Sequence, residues 1–135
     1  MNVNTFRFCR ALANISIPPS ITNIASYAFQ QCSLSRITIP NRVTSIDDAA
    51  FSSNGVLTNI IIPGSVTSIG TSAFEGNTGM RYYDFSACTS IPTLSDISAF
   101  KNIPSDCQML IPSDLYDEWS AATNWVTYAS HMVAV

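Results

Sequence analysis

The sequence predicts a solenoid of about five stacked coils, built from short parallel β-strands, loops and short helical turns and closed by a small helical C-terminal cap. One segment pattern (Ile-Pro, two turn residues, Val or Ile, Ile, then Ala-Phe) occurs three times, at Ile17–Phe29, Ile39–Phe51 and Ile62–Phe74. A phenylalanine recurs at intervals of 23, 22, 23 and 26 residues, at Phe6, Phe29, Phe51, Phe74 and Phe100. A proline position keeps the same rhythm, with intervals of 22, 23, 23 and 26, at Pro18, Pro40, Pro63, the substituted Ser86 and Pro112. Two landmarks that share one period indicate a repeat architecture.

One repeat unit, residues 57–77, shows the elements of a coil. The alternation Ile60-x-Ile62 is typical of a strand, and Pro63-Gly64 predicts a turn. Residues 66–69 form a second short extended piece, and residues 71–75 could hold one helical turn. Such a unit cannot bury its own apolar face, so its stability must come from stacking at about the 4.8 Å strand spacing.

The C-terminal end departs from the repeat. We predict that residues 1–112 form the solenoid, with an incomplete first coil, and that residues 113–135 form the cap. Ser113 is the expected N-cap of a helix with acidic residues in its first turns and Leu115, Trp119 and Ala122 on one face. Trp125 and Tyr128 could cover the rest of the open end, because aromatic side chains bury much apolar area per residue.

The N-terminal end has no comparable cap, because the first half of a unit is missing before Phe6. An uncovered coil would present strand edge and apolar surface to solvent. We therefore expect the chain to be the C-terminal part of a longer protein, or to associate with another molecule through this uncapped coil.

Composition and charge exclude several function classes. The chain is 47% hydrophobic and 11% charged, which is typical of a folded domain, and its net charge of −3 with scattered basic residues offers no stripe for nucleic acid. No apolar run approaches the roughly 20 residues that span a bilayer, so we expect no membrane insertion by this chain. The first ten residues lack the apolar core of a secretory signal, so any export signal would lie outside the chain.

No combination of residues predicts catalysis, a metal site or a cofactor site. The single histidine, His131, lies in the predicted cap without a nucleophile or oxyanion donor to match it. The pair Asp47-Asp48 occupies a turn position in its unit and is interpreted as surface charge. The glycines lack the context of a phosphate-binding loop, so turn geometry is the better explanation for them. We predict that the chain is not an enzyme.

The repeated order L-x-x-I-x-I-P-x-x-V-x-x-I-x-x-x-A-F-x-x-C/N resembles the treponeme-type leucine-rich repeat of BspA-like surface proteins, over residues 6–112. The remaining tail resembles, more loosely, the C-terminal cap that often follows such repeats. The resemblance implies a right-handed leucine-rich-repeat solenoid on bacterial cell-surface, secreted or phage-associated proteins, used for adhesion and recognition. It supplies no catalytic residues.

Cys9 and Cys32 occupy the same slot of consecutive units, the slot that Asn54 and Asn77 occupy in the next two. The family resemblance implies an inward Cys or Asn here, which suggests a row of polar side chains that satisfies buried loop backbone. Free thiols are favoured at Cys9 and Cys32, because parallel side-chain directions suit a bridge poorly. A Cys9–Cys32 disulfide remains the alternative. Cys88 and Cys107 fall at other phases of the repeat, and no C-x-x-C spacing supports metal binding.

Outward-facing strand residues are the candidate binding surface. If Ile37 and Ile39 point into the core, strand alternation turns Arg36 and Thr38 outward. The same phase in the other coils gives a continuous strip made of Asn14 and Ser16, Asn59 and Ile61, Tyr82 and Asp84, and Gln108 and Leu110. Interfaces favour Tyr and Arg at their centres, so the candidate ligand-binding residues are Arg36, Asn59, Ile61, Tyr82 and Asp84. Alternatively, Ile61 and Tyr82 only support strand formation on a solvated sheet.

The function predicted on this basis is a non-enzymatic, extracellular or cell-surface module for recognition or adhesion. Its expected partner is a host or bacterial surface protein or glycan, bound through the strand face. Two alternatives remain open: a structural spacer in a surface or phage-tail assembly, and an accessory domain of a larger enzyme.

Overall fold

The computed structural model describes all residues from 1 to 135 and has the repeating architecture that the sequence predicts. Its regular elements are short and follow one another along successive coils. They are β1 (Asn23–Ile24), β2 (Ser45–Ile46), β3 (Asn59–Ile61), β4 (Ser68–Ile69), β5 (Tyr82–Asp84), β6 (Thr93–Leu94), β7 (Gln108–Ile111), helix α1 (Tyr116–Ala121), a 3-10 helix (Trp125–His131) and β8 (Met132–Ala134).

The strands form two parallel sheets, one on each of two sides of the solenoid. The first has the order β1-β2-β4-β6 and the second the order β3-β5-β7-β8. Register follows the repeat, since Ile24, Ile46, Ile69 and Leu94 pair in sequence across the first sheet. Each pairing therefore joins a residue to its counterpart about one repeat further on, which is how a solenoid satisfies backbone groups between coils.

The third side is made of turns, which hydrogen-bond to one another. Residues 71–75, where we predict a helical turn, form instead a turn with Ser72 at φ 54° and Gly76 at φ 74°. Ser72 and Gly76, two positions before and after Phe74, have left-handed backbone conformations. This arrangement makes the amides of alternate residues point along the solenoid axis, towards the next coil. The Phe74 and Gly76 amides thus donate to the carbonyls of Ala99 and Lys101, both at 2.8 Å. Backbone pairing therefore occurs on all three sides, with an interruption between residues 36–39 and β3.

The core is a set of stacked rows, as the repeat predicts. The five recurring phenylalanines stack in consecutive pairs, with ring centroids 5.2–5.5 Å apart and rings within 9° of parallel, in the order Phe6, Phe29, Phe51, Phe74 and Phe100. All but the first are completely buried. Further apolar rows, such as Ile37, Ile60 and the aromatic Tyr83, lie beside them in the same cluster. Each ring is thus buried against the rings of the coils above and below it, and no unit has a core of its own.

The C-terminal segment closes the last coil by satisfying its exposed backbone groups. Asn124 Nδ2 and Trp125 Nε1 donate to the carbonyls of Leu94 and Pro92, at 2.9 and 2.7 Å. The Tyr128 hydroxyl accepts from the Phe100 amide at 3.2 Å and donates to the Ile97 carbonyl. Strand β8 adds to the edge of the second sheet by pairing with β7.

The prediction that Ser113 is the N-cap residue of the C-terminal helix is wrong. The residue at that position is Leu115, not Ser113, and no side chain caps the first turn. Asp117 and Glu118 do lie in that turn, and Trp119 is buried on the inner face. With only six residues, the helix is held mainly by the burial of Trp119 rather than by its own capping.

Candidate functional site

The strand face is the outer surface of the second sheet together with the strand segments 14–17 and 36–39 that precede it. Side chains alternate along each segment as predicted: Arg36 and Thr38 are exposed, whereas Ile37 and Ile39 are buried. In β3 the same alternation leaves Ile61 57% exposed beside the buried Ile60. A β-branched apolar side chain this exposed contributes little to the core and remains available for contact.

Four of the five predicted site residues are brought together by sheet register. Asn59 pairs with Tyr82, and Ile61 pairs with Asp84, so the four side chains form two adjacent pairs across β3 and β5. Tyr82 and Asp84 are half-buried, and Asp84 Oδ1 accepts a hydrogen bond from the Ser86 amide at 2.8 Å. The carboxylate orientation is therefore fixed by the turn that follows the strand.

The fifth residue, Arg36, lies across a break in the strand face. Segment 36–39 makes only an isolated bridge to segment 14–17, Ser16 with Thr38, and β3 pairs with β5 on one side alone. The break coincides with a one-residue deletion. From Phe29 to Pro40 is 11 positions, whereas the equivalent interval from Phe51 to Pro63 is 12. We attribute the missing pairing to this shorter coil, and the two intervals were visible in the sequence.

A cavity of about 330 Å³ lies at this break, which we call the gap. Three predicted site residues line it, Arg36, Asn59 and Ile61, whereas Tyr82 and Asp84 lie beyond it on β5. Asn41, which we did not predict, also lines the cavity, with Thr38 and Pro63. The cavity falls within the size range of small-ligand sites, and its walls mix exposed polar groups with an apolar side chain.

Charge is distributed unevenly along the solenoid, a feature that our description of scattered basic residues missed. Residues 1–46 contain four arginines and no acidic residue, whereas residues 47–135 contain all nine acidic residues, Arg81 and Lys101. Arg7 and Arg10 are held by hydrogen bonds to Gln30 and Gln31. The Arg36 guanidinium makes no hydrogen bond within the chain, so its five donors are open to a ligand.

The residues considered for catalysis have structural roles in the solenoid. His131 Nδ1 lies 2.8 Å from the Cys107 carbonyl, and since a carbonyl only accepts, Nδ1 carries the proton. Asp47 and Asp48 are more than surface charge, because they accept hydrogen bonds from Asn23 Nδ2 and from the Thr71 amide in neighbouring coils, at 2.9 and 2.8 Å. No group of three or more His, Cys, Asp or Glu residues could hold a metal ion.

Glycine positions in the turns are explained by close approach of neighbouring coils. A Cβ on Gly64 would lie 2.2 Å from the Ala87 carbonyl oxygen, and one on Gly79 would lie 2.3 Å from the Gly55 carbonyl oxygen. A side chain at either position would require the coils to separate. Gly64 and Gly79 therefore serve stacking between coils rather than the turn geometry that we predicted, which applies only to Gly76 with its φ of 74°.

The Cys and Asn slot forms the row of polar side chains that we expect. Cys32 Sγ donates to the Phe6 carbonyl at 3.1 Å, and Asn54 Nδ2 donates to the equivalent Phe29 carbonyl at 2.9 Å. Asn77 Oδ1 accepts from the Asn54 amide at 2.8 Å. All four cysteines are free thiols in this structure; Cys32, Cys88 and Cys107 are buried, whereas Cys9 is exposed, so the inward position that we expect for this slot is not kept in the first coil. The slot thus satisfies loop backbone from one coil to the next.

Buried thiols predict a loss of stability at alkaline pH. Burial raises the pKa of Cys88 to about 11 and that of Cys107 to about 12, aided by the nearby charges of Asp84 and Asp106. Between pH 9 and 10 the unfolded thiols lose their protons while the folded ones keep them, so stability falls as pH rises, by at most about 1.4 kcal/mol per pH unit and thiol. Neither thiol ionises near neutral pH, which excludes both as nucleophiles there.

Chemical denaturation at pH 7.5, 9 and 10 tests this expectation. The variant Cys88→Ala/Cys107→Ala should start from a lower free energy of unfolding but lose less of it over that pH range than the wild type does. Equal losses in the two proteins would contradict the assignment.

None of the helices combines the length and the apolar character needed to cross a membrane.

Comparison with known proteins identifies the repeat. The family model described as "BspA type leucine rich repeat region" matches residues 1–107 in six copies. A leucine-rich repeat protein from Bacteroides ovatus is similar in structure, with a TM-score of 0.65 and 23% identity over 84% of this chain and 35% of that one. The pneumococcal vaccine antigen PcpA is similar with a TM-score of 0.73 and 17% identity, over 98% of this chain and 38% of that one. The chain thus spans just over a third of the length of either neighbour. No curated protein matches the sequence.

Proposed function

The chain belongs to the BspA-type leucine-rich repeat family, and from this premise we propose that it is a non-enzymatic recognition or adhesion module that binds a protein or glycan through its strand face. Repeat proteins of this kind generally serve interaction, because stacking presents one long continuous surface. The inward apolar residues of the repeat are buried in the core, so the specificity of ligand binding must come from the outward positions.

The observation that carries the proposal is the composition of the strand face. Ile61 is 57% exposed, and the half-buried Tyr82 lies one strand further on, beside Asn59. An amphipathic tyrosine one strand away from an exposed aliphatic side chain is typical of the centre of a binding surface, and Arg36 lies across the gap from this pair.

The proposed location is the cell surface or the extracellular space. The family resemblance to surface proteins supports this location, and one structural neighbour with the same fold is described as a pneumococcal vaccine antigen. That neighbour and this chain share a fold, which supports the location without extending to the ligand.

A structural spacer is the second candidate. The observation that favours it is backbone pairing between coils on all three sides of the solenoid, interrupted at the gap, because such pairing stiffens a rod made of few residues. A spacer would not depend on particular side chains of the strand face, and this separates the two candidates.

Replacing Tyr82 by alanine tests the strand face. We expect Tyr82→Ala to weaken binding by about 1–3 kcal/mol while it changes the free energy of unfolding by less than about 1 kcal/mol, since the ring is only half-buried. A ligand is first selected with the wild type on glycan and surface-protein arrays, and affinities and melting curves are then measured for the variants.

Tyr116→Ala is the matched control, because Tyr116 is also half-buried but lies in α1 at the cap. It should leave affinity unchanged. A ligand that binds the Tyr82→Ala protein as tightly as the wild type would refute the strand-face proposal.

A further inference from the structure

We propose that the gap between segment 36–39 and β3 binds a hexuronic acid residue of an acidic polysaccharide, with the sugar carboxylate on Arg36. This inference rests on the proposed function, because it names the ligand chemistry for one part of the strand face. Four features of the gap support it: open backbone groups, mixed side-chain donors and acceptors, size, and charge.

Open backbone groups come from the broken pairing. The Thr58 carbonyl accepts from the Arg81 amide at 2.7 Å, and the Ile62 amide donates to the Asp84 carbonyl at 2.8 Å. Because backbone groups of alternate residues in a strand point to opposite edges, the amides and carbonyls of Asn59 and Ile61 point towards the gap. No hydrogen bond joins them to segment 36–39. The edge of β3 therefore offers two donors and two acceptors.

Side chains add further donors and acceptors on both walls. Thr38 supplies a hydroxyl, and Asn41 and Asn59 each supply an amide that donates through nitrogen and accepts through oxygen. A sugar hydroxyl also does both, so a ring with several hydroxyls can satisfy such a set. A carboxylate by itself only accepts, so the carbonyl and amide oxygens of the gap need the hydroxyl donors that a sugar ring carries beside its acid group.

Size and shape favour a compact ring. The cavity holds about 330 Å³, at the lower end of the size range of small-ligand sites, which suits one sugar ring. Ile61, 57% exposed at the rim, offers the apolar contact that one face of a sugar ring accepts. A peptide cannot add to this edge as a further strand, because the Phe29 and Phe51 rings of the two flanking coils stack at 5.3 Å and leave no room for a strand between the coils.

The distribution of charge around the gap indicates where the acid group of the ligand would bind. Arg36 lies in the part of the chain that has no acidic residue, whereas Asp84 stands next to Ile61 on the far side of β3. A ligand carboxylate is therefore attracted by Arg36 and repelled by Asp84, while the exposed Arg81 lies at the other end of β5, beside Thr58. The planar guanidinium fork of Arg36 matches a carboxylate with two parallel hydrogen bonds.

The experiment measures binding of the intact chain to immobilised polygalacturonate, alginate and hyaluronan, each beside its carboxyl-reduced, uncharged form, at 0.15 M salt. We expect the wild type to bind at least one of the three acids, and about tenfold more weakly after carboxyl reduction. Arg36→Gln should lower that affinity about tenfold, and Arg36→Lys should restore only part of it. Arg10→Gln, which removes an equal charge from the same half of the chain, should change affinity less than twofold.

Four results would overturn the inference. They are no binding to any of the three acids, equal binding to the reduced forms, equal losses in Arg36→Gln and Arg10→Gln, and tighter Arg36-dependent binding to poly-glutamate, which would identify an acidic polypeptide as the partner. Melting curves should show Arg36→Gln folded like the wild type, because Arg36 is exposed and unpaired. The gap site and the strand-face proposal are refuted by different results. An array ligand that Tyr82→Ala loses and Arg36→Gln keeps would refute the gap site and retain the strand face.

Discussion

Replacing Phe74 by alanine is expected to lower the free energy of unfolding by about 3–5 kcal/mol. Phe74 is completely buried in the middle of the phenylalanine row, with centroid distances of 5.5 Å to Phe51 and 5.2 Å to Phe100, and with an edge contact to Tyr83 at 5.3 Å. Its removal leaves a cavity that backbone pairing on three sides prevents from collapsing. The cost should therefore lie at the upper end of what large-to-small core changes show.

Guanidinium denaturation followed by circular dichroism measures this change. Phe8→Ala is the matched control, because Phe8 is the same residue type but 50% exposed, and it should cost less than about 1 kcal/mol. Binding by the Phe74→Ala protein should fall only in proportion to its unfolded fraction. A loss below about 1 kcal/mol would mean that the row does not hold adjacent coils together.

The parts of the fold that depend on the repeat period could be predicted from sequence. A period of 22 or 23 residues places like residues above one another, so the row from Phe6 to Phe74 follows from counting, and the 26-residue interval shared by the phenylalanine and proline positions extends it to Phe100. The outward direction of Ile61 follows from strand alternation once Ile60 is assigned to the core. These inferences succeed because stacking imposes the same environment on equivalent positions.

The details that escaped prediction depend on local geometry rather than on period. Left-handed residues beside each phenylalanine include Tyr27, Ala49 and Ser72, none of them a residue type whose own preference favours that conformation. Hydrogen bonds between coils impose it, and a single unit read alone suggests a helical turn instead. The gap beside Arg36 arises from one missing residue, a change too small to disturb the hydrophobic pattern.

In the candidate site, too, some features follow from the repeat period and others depend on local geometry. Register between Asn59 and Tyr82 could be predicted, because both occupy one slot of the repeat. The contribution of Asn41 could not, since it lies after the strand, in the turn that follows Pro40, and reaches the cavity only because the two segments are apart. Which of the outward residues bind a ligand stays a prediction.

Removing the Trp125 side chain should cost about as much as removing Phe74, and its effect should be confined to the C-terminal end. The ring is 1% exposed and contacts Phe85, Phe100 and Trp119, with centroid distances of 5.4, 5.6 and 5.3 Å. Trp125→Ala therefore loses a large buried aromatic surface, at about 3–5 kcal/mol. It also leaves the Pro92 carbonyl, which accepts from the indole nitrogen at 2.7 Å, without its partner.

Because stability in a solenoid passes from each coil to its neighbours, loss of the cap should first open the coil beneath it. Hydrogen exchange of the Trp125→Ala protein should show reduced protection at Phe100 and in β7, and near-normal protection at Phe29 and in β1. Val126→Ala is the control, since that side chain is 58% exposed and should leave exchange unchanged. A uniform loss of protection along the chain would mean that all the coils unfold as one unit, and unchanged protection would mean that the C-terminal segment does not close the solenoid.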